Sequence, residues 1–309
     1  MSNQRLIVIA GPTASGKTAL AIRLAKHFDT CVLSADSRQF YREVAIGTAK
    51  PSLEEQDGVI HHFIDSHSLE NPVSASMFAE EALLILTKIF QTKDIVILVG
   101  GSGLFMDALC VGLDKIPFNQ EIRNQLNAEL LQNGLDTLLL ELHQKDPTYF
   151  AQVDRANATR VIRALEVIRN TGNTFTFYVE NNTKEQRDFE FLYFIINHPR
   201  EKLYARIEQR VDRMLASGLL EEVKSVYHLA HLQTLNTVGY SELFRFLRGE
   251  ISFDTAILLI KQNTRRYAKR QLTWLRRYKD LHCLNPNSMT PLLEQVLSKM
   301  DKDGSFLIG

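Results

Sequence analysis

Cysteine is scarce in this chain. Cys31, Cys110 and Cys283 lie far apart among 309 residues. An odd, scattered set makes no disulfide framework and no metal-binding spacing. A reduced, cytoplasmic chain is the plain expectation. Long apolar runs are missing too, and that excludes a membrane-spanning helix by hydropathy. The opening residues lack the charged, apolar and cleavage regions of a signal peptide, because Leu6 already begins a strand pattern. Net charge is absent: 36 Lys plus Arg balance 36 Asp plus Glu, so whole-molecule electrostatics announce no nucleic-acid partner. There is no internal repeat and no low-complexity segment. What is present is ordinary for a soluble globular protein, with 45% hydrophobic and 23% charged residues. The length suits one large or two modest domains, and a monomer is the default for a chain with that much core.

The most informative residues are Gly11-Pro12-Thr13-Ala14-Ser15-Gly16-Lys17-Thr18. They follow an apolar strand run, Leu6 to Ala10, and precede the apolar-periodic helix start at Ala19. Strand, Gly-rich loop and helix in that order make a phosphate-binding loop (P-loop). Backbone N–H groups and the helix N-terminus face an anion together. Lys17 neutralises phosphate charge, and Thr18 offers a hydroxyl to magnesium. The motif does not say what carries the phosphates. No apolar strand here ends in an Asp-Glu pair of the ATPase kind, and no Arg-rich lid is evident. ATP is therefore not required.

Organisation along the chain predicts an α/β fold. Strand patterns at Leu6–Ala10, Cys31–Ser34 and Asp94–Val99 alternate with helical ones at Phe78–Phe90 and Leu104–Leu109. Such alternation implies a parallel sheet flanked by helices. Ligands of these sheets sit beyond the strands' carboxyl ends, where the loop, Asp36 and Gly101-Ser102 all fall. From about 117 the pattern becomes helical: Glu121–Asn133, Asp136–Lys145 and Asn157–Asn170. Strand character returns at Phe189–Ile196. The expectation is a core of 1–116 and 190–309 interrupted by a helical insertion, 117–189. Helical patterns then cover Arg200–Leu215, Leu219–His231, Ser241–Leu247, Phe253–Leu259 and Ile260–Arg277; the tail after Asp280 is uninformative.

Several constellations carry chemistry. Asp36 can help hold magnesium, accept a proton from a nucleophile, or merely cap the next turn. Gly100-Gly101-Ser102-Gly103 either lets a helix approach closely or presents Ser102 to a substrate. Arg160 with Arg163, and Arg206 with Arg210, sit at helical spacing suited to clamping phosphates or to surface salt bridges with Glu166 and Asp212. Lys261 to Lys279 holds eight Lys or Arg and no Asp or Glu, with Tyr267, Trp274 and Tyr278 interleaved. That stripe reads equally as a nucleic-acid surface or as a solvated helix face over core aromatics. His61-His62, near Asp65 and His67, matches no zinc spacing, and a hydrogen-bonded loop histidine is expected.

With these residues laid out, the chain resembles the tRNA dimethylallyltransferases (tRNA isopentenyltransferases) over almost its full length. The loop carries the family's Pro-Thr after its first Gly. Asp36 to Tyr41 is similar to Asp-Ser-x-Gln-x-Tyr, and Gly100 to Phe105 to Gly-Gly-Thr-Gly-Leu-Tyr. Ile46 to Pro51, His61 to Asp65, Arg160 to Val167, Val238-Gly239-Tyr240 and Lys269 to Arg276 match further landmarks. Departures are mild: Ser102 for Thr, Phe105 for Tyr, and Ser241 where Lys or Arg is common. The resemblance implies transfer of a dimethylallyl group from dimethylallyl diphosphate to the exocyclic amine of the adenosine 3′ of the anticodon. It implies magnesium dependence and an insertion that grips the tRNA anticodon stem-loop. Gly11, Pro12, Thr13, Ala14, Ser15, Gly16, Lys17 and Thr18 would then hold the diphosphate, not ATP. Asp36 would be the general base, with Thr13, Lys17 and Arg210 in catalytic roles and Thr18 toward the metal. The RNA-facing residues implied are Asp36, Ser37, Arg38, Gln39, Ser102, Arg123, Thr159, Arg160, Arg163, Gly239, Tyr240, Lys269, Arg270, Trp274 and Arg276.

Overall fold

A computed structural model describes residues 4–181, 185–278 and 280–300. Six strands form one sheet: β1 (Arg5–Ala10), β2 (Val32–Ala35), β3 (His61–His62), β4 (Ile95–Gly100), β5 (Glu190–Ile196) and β6 (Leu281–Leu284). Their order is β3-β2-β4-β1-β5-β6, and every pairing is parallel. A sheet covered on both faces needs strands that are apolar throughout, which is why β1, β2 and β4 are buried along their whole lengths. Residues on one strand alternate faces. Ile7 and Ile9 of β1 pack with Ile97 of β4 and with Leu20, Leu24 and Ala25 of the following helix.

The helices in chain order are α1 (Lys17–His27), α2 (Leu53–Gln56), α3 (Ala75–Ile89), α4 (Gly103–Cys110), α5 (Gln120–Asn133), α6 (Leu135–Lys145), α7 (Pro147–Gln152), α8 (Ala158–Thr171), α9 (Phe175–Glu180), α10 (Arg200–Ala216), α11 (Leu219–Ser225), α12 (Tyr240–Leu247), α13 (Phe253–Leu275) and α14 (Leu292–Leu297). Two compact units result: Met1–Cys110 with Arg187–Gly309, and Val111–Gln186. The second begins earlier than the expected position 117. Its first segment is tied inward, because Arg163 Nη1 and Nη2 donate to the carbonyls of Pro117 and Ile116 at 2.9 Å.

The second unit is a helical cluster built on Leu126, Leu138, Leu142, Val161 and Leu165. Fully buried Glu166 lies in it. Its carboxylate pairs with Arg123 at 2.6 Å and Arg163 at 2.7 Å, and accepts the Asn119 N–H at 2.9 Å. A buried carboxylate survives only with such partners.

Three sequence expectations are revised. Phe253–Leu259 and Ile260–Arg277 are one helix, α13, because no Gly or Pro interrupts residues 253–275. At about 1.5 Å per residue it is roughly 35 Å long. The pattern Leu219–His231 stops at Ser225, whose hydroxyl bonds the Glu222 carbonyl and competes with the helix; a short 3-10 turn follows at Tyr227–Leu229. The tail after Asp280 supplies β6 and α14, which close one sheet edge. The short helix α2 also went unread, as did α7 and α9. Asp146 ties the latter two together, capping α7 at the Tyr149 N–H and accepting from Thr176 in α9.

Candidate active site

The strand register brings three loops to one edge. Ala10 is level with Gly100, and Gly100 with Ala35, so β1, β4 and β2 end together. The segments that follow, residues 11–16, 101–102 and 36–39, leave from that common edge. This is the carboxyl edge at which open parallel sheets take ligands.

The loop after β1 turns sharply. Ala14 has φ 64° and Gly16 has φ 94°, both left-handed. At Gly16 a side chain would be strained, so glycine is the natural occupant. Gly16 also caps α1 without any side-chain acceptor. The first-turn N–H groups of a helix have no intrahelical partner, and here no side chain among the described residues caps them. They are free to meet an anion. Lys17 extends back over the loop, donating weakly to the Pro12 carbonyl at 3.5 Å. Burial pulls its ammonium down to about 8, against the opposing pull of Asp36, with Arg210 lowering it further. Arg210 is likewise pushed below its ordinary value by burial, while Asp36 works the other way. Two desolvated cations therefore both feel Asp36, with Glu55 acting on Arg210 as well.

These residues face a cavity of about 500 Å³. Thr13, Lys17, Thr18, Asp36 and Arg210 line one part of it. Val211, Met214, Leu219 and Ile260 give it an apolar wall. Asp36 Oδ1 also accepts the Arg38 N–H at 3.1 Å, so the turn-capping role is real and coexists with its place in the cavity. Arg206 is set apart from Arg210: its Nε donates to the Ala14 carbonyl at 2.7 Å and braces the loop.

Other expected site residues divide by what their side chains already do. Ser37, Arg38, Gln39, Gly239 and Arg270 line the cavity. Arg38 also donates to the Thr234 carbonyl at 2.5 Å. Buried Gln39 spends its amide on the Thr48 and Ala49 carbonyls and on the Ser34 hydroxyl, which holds the loop at 45–50 in place. The Ser102 hydroxyl accepts the Ser37 N–H at 3.2 Å and joins the Asp36 turn to the Gly-rich turn. Tyr240 must be corrected. It is fully buried and its hydroxyl donates to Glu222 at 2.6 Å, so its side chain is part of the scaffold and cannot meet RNA. In the second unit, Thr159 and Arg160 are exposed, whereas Arg123 and Arg163 are committed to Glu166.

The basic stripe on α13 also divides. Lys261 pairs with Asp212, and Arg265 with Glu208, each at 2.6 Å. Arg266, Lys269, Arg270, Arg276 and Arg277 are exposed and make no ion pair among the described residues. Lys279 lies outside the described residues. The aromatics are half-buried beneath them, with Arg277 over the Trp274 ring at 4.6 Å and Arg270 over the Tyr267 ring at 5.7 Å. Tyr278 stacks on Tyr193 at 4.0 Å, and the Trp274 indole donates to Asp107 at 3.1 Å. Tyr267 lines the cavity, and burial pushes its hydroxyl up to about 12, so it is neutral at ordinary pH.

Four functional positions went unread in the sequence. Tyr267 and Gln271 stand on α13 facing the cavity. Glu222 takes the N–H groups of Ala45, Ile46 and Gly47 at 2.7, 2.8 and 2.9 Å and so fixes one cavity lip. Glu242 lines the cavity, buried, accepting from the Gly239 N–H and from Asn263. No motif spacing flags these roles, although Tyr267 and Gln271 lay inside the basic stripe singled out for other reasons. The histidine pair forms β3, with His61 Nδ1 at 2.9 Å from the Val59 carbonyl. No group of three His, Cys, Asp or Glu suited to a metal occurs among the described residues.

Fold and site together define a parallel α/β protein with an anion-ready loop and a carboxylate in one crevice. Comparison with known proteins narrows this. The IPP transferase family model matches residues 39–278. The tRNA dimethylallyltransferase of Cytophaga hutchinsonii is 44% identical, over 97% of this chain and 99% of that protein. Among solved structures, the full-length tRNA isopentenylpyrophosphate transferase of Bacillus halodurans is 36% identical with a TM-score of 0.67, covering 91% of this chain and 90% of that one. A eukaryotic dimethylallyltransferase acting on tRNA is 25% identical with a TM-score of 0.78, covering 91% of this chain and 74% of that one. The chain belongs to the IPP transferase family, and with it to the prenyltransferases that modify tRNA.

Proposed function

We propose that this chain transfers a dimethylallyl group from dimethylallyl diphosphate to the exocyclic amine of the adenosine 3′ of the anticodon, releasing diphosphate. One observation carries the residue assignment. Lys17, Arg210 and Asp36 share a cavity of about 500 Å³ with an apolar wall of Val211, Met214, Leu219 and Ile260. Cations suit a diphosphate, the wall suits a branched five-carbon chain, and the carboxylate suits a proton leaving an amine.

The steps balance. The allylic C–O bond breaks and its electron pair leaves with the diphosphate. Lys17, Arg210 and the first-turn N–H groups of α1 stabilise that growing charge. The adenine nitrogen forms the new N–C bond and passes a proton to Asp36, a step worth about 10²–10⁴-fold by the general-base rule. Thr13 orients the amine or the diphosphate from the loop. The base must first leave its stack, which in a loop costs only a few kcal/mol.

The donor set also fits magnesium. One hydroxyl and one carboxylate, with no cage of ligands among the described residues, suit an ion that arrives on phosphate oxygens and keeps several waters. Bound through Thr18 and the substrate's phosphates, magnesium would neutralise further charge on the departing diphosphate.

The exposed Arg266, Lys269, Arg270 and Arg276 are assigned to RNA phosphates, with Arg160 and Thr159 of the second unit. That unit is assigned to the anticodon stem-loop. The reaction belongs in the cytoplasm, and the chain acts as a monomer. No helix among the described residues is long and apolar enough to cross a membrane. Purified protein with magnesium, radiolabelled dimethylallyl diphosphate and unmodified tRNA tests the reading. Label in tRNA supports it. Turnover of ATP without label in tRNA contradicts it and points to a kinase.

A further inference from the structure

α13 packs Ala268 and Leu272 near Ala14 of the loop after β1, and it hydrogen-bonds to that loop through Gln271. Gln271 is buried, and its Oε1 accepts the Thr13 N–H at 2.9 Å. Its Nε2 donates to the Gly101 carbonyl at 2.9 Å. One amide thus straps the loop after β1 to the turn after β4. The turn is shaped for it. A Cβ at Gly101 would stand 2.2 Å from Gln271 Nε2, and one at Gly103 would stand 2.2 Å from the Trp274 ring. Gly101 and Gly103 therefore form a socket for α13, the close helix approach that such a turn allows.

The strap has a chemical consequence. It takes up the Thr13 N–H, which a flexible loop could otherwise turn toward an anion. The donors left to the ligand are those at the start of α1, and the Thr13 side chain stays on the cavity wall. Buried main-chain groups are costly to leave unpaired, so the loop is held in this one arrangement before any ligand arrives. We infer that Gln271 is a positioning residue for prenyl transfer: it fixes Thr13 and presets the loop for diphosphate. This rests on the reading of that loop as the diphosphate's holder.

Titration calorimetry with inorganic pyrophosphate and magnesium, on the full chain, tests it. Gln271→Met keeps the volume and loses both bonds, and is expected to bind pyrophosphate about tenfold more weakly. Gly101→Ala displaces the same amide and should give the same loss. The double variant should be no weaker than the worse single, within about twofold, because both act on one strap. Tyr278→Phe removes a bond to Asp107 just beyond α13 and should change affinity less than about twofold. In turnover, Gln271→Met should raise KM for dimethylallyl diphosphate and leave KM for tRNA in place. Should Gly101→Ala not fold, Gln271→Met against Tyr278→Phe decides. Gln271→Met binding like the parent, additive losses in the double variant, or an equal loss in Tyr278→Phe overturns the inference. A parent that ignores pyrophosphate overturns the reading of the loop itself.

Discussion

The two units treat buried charge in opposite ways. In the second unit, Arg123 and Arg163 meet buried Glu166, and Arg169 is clamped by Glu129 and Glu141 at 2.6 and 2.5 Å. At the loop after β1, neither Lys17 nor Arg210 makes an ion pair among the described residues; Asp36 acts on both, and burial weakens the hold of both on their protons. The first arrangement is self-sufficient and holds helices together. The second lacks such pairing, and in the proposed function a bound anion completes it. Perturbed cations without matching carboxylates mark the working site; paired ones mark the scaffold.

Each of four substitutions sharpens or breaks that contrast. Asp36→Ala should lower turnover by about 10²–10⁴-fold, with pyrophosphate affinity retained. Single-turnover rates beside calorimetry check it, and a loss of only a few-fold would end the base role. Glu166→Ala strands two arginines in the second unit and should cost about 3–5 kcal/mol in chemical denaturation. A cost near zero would mean the pairing is ornamental. Lys17→Met should weaken pyrophosphate by tenfold or more, at about 1.4 kcal/mol per factor of ten. The parent's affinity should itself decline as pH rises through about 8, where Lys17 loses its proton, and Lys17→Met should lack that dependence. Because the folded value lies below the ordinary lysine value, the unfolded chain holds the extra proton between the two. Lys17 therefore makes stability rise with pH above about 8, and melting curves of Lys17→Met should lose that rise. Smallest is the double change Lys269→Ala with Arg270→Ala. It should raise KM for tRNA and reduce the salt slope by roughly 0.7–0.9 per contact removed. An unchanged slope returns α13 to a solvated face.

Much of the fold was legible because it rests on local patterns. The apolar runs of β1 and β4 and the Gly-rich loop are contiguous in sequence, and each has a short physical explanation. β6 was not legible: Leu281–Leu284 is half-exposed at a sheet edge and carries His282, so its apolar signal is faint. The break predicted at Ile260 failed because side-chain periodicity drifts along a long helix while the backbone continues. The site was legible where function needs a motif and illegible where it needs a strut. Lys17 and Asp36 stand in recognisable strings. Gln271 and Glu222 act on main-chain groups distant in sequence, which no spacing encodes. The aromatics of the basic stripe serve packing in part, because Tyr278 stacks on Tyr193 and Trp274 bonds to Asp107 while Arg277 covers its ring.

Calorimetry of pyrophosphate binding at pH 8, in two buffers of different ionisation enthalpy, tests the incomplete charge most directly. The parent should take up a fraction of a proton as the anion drives Lys17 to its charged form, and Lys17→Met should not. Equal proton uptake in both proteins would contradict it.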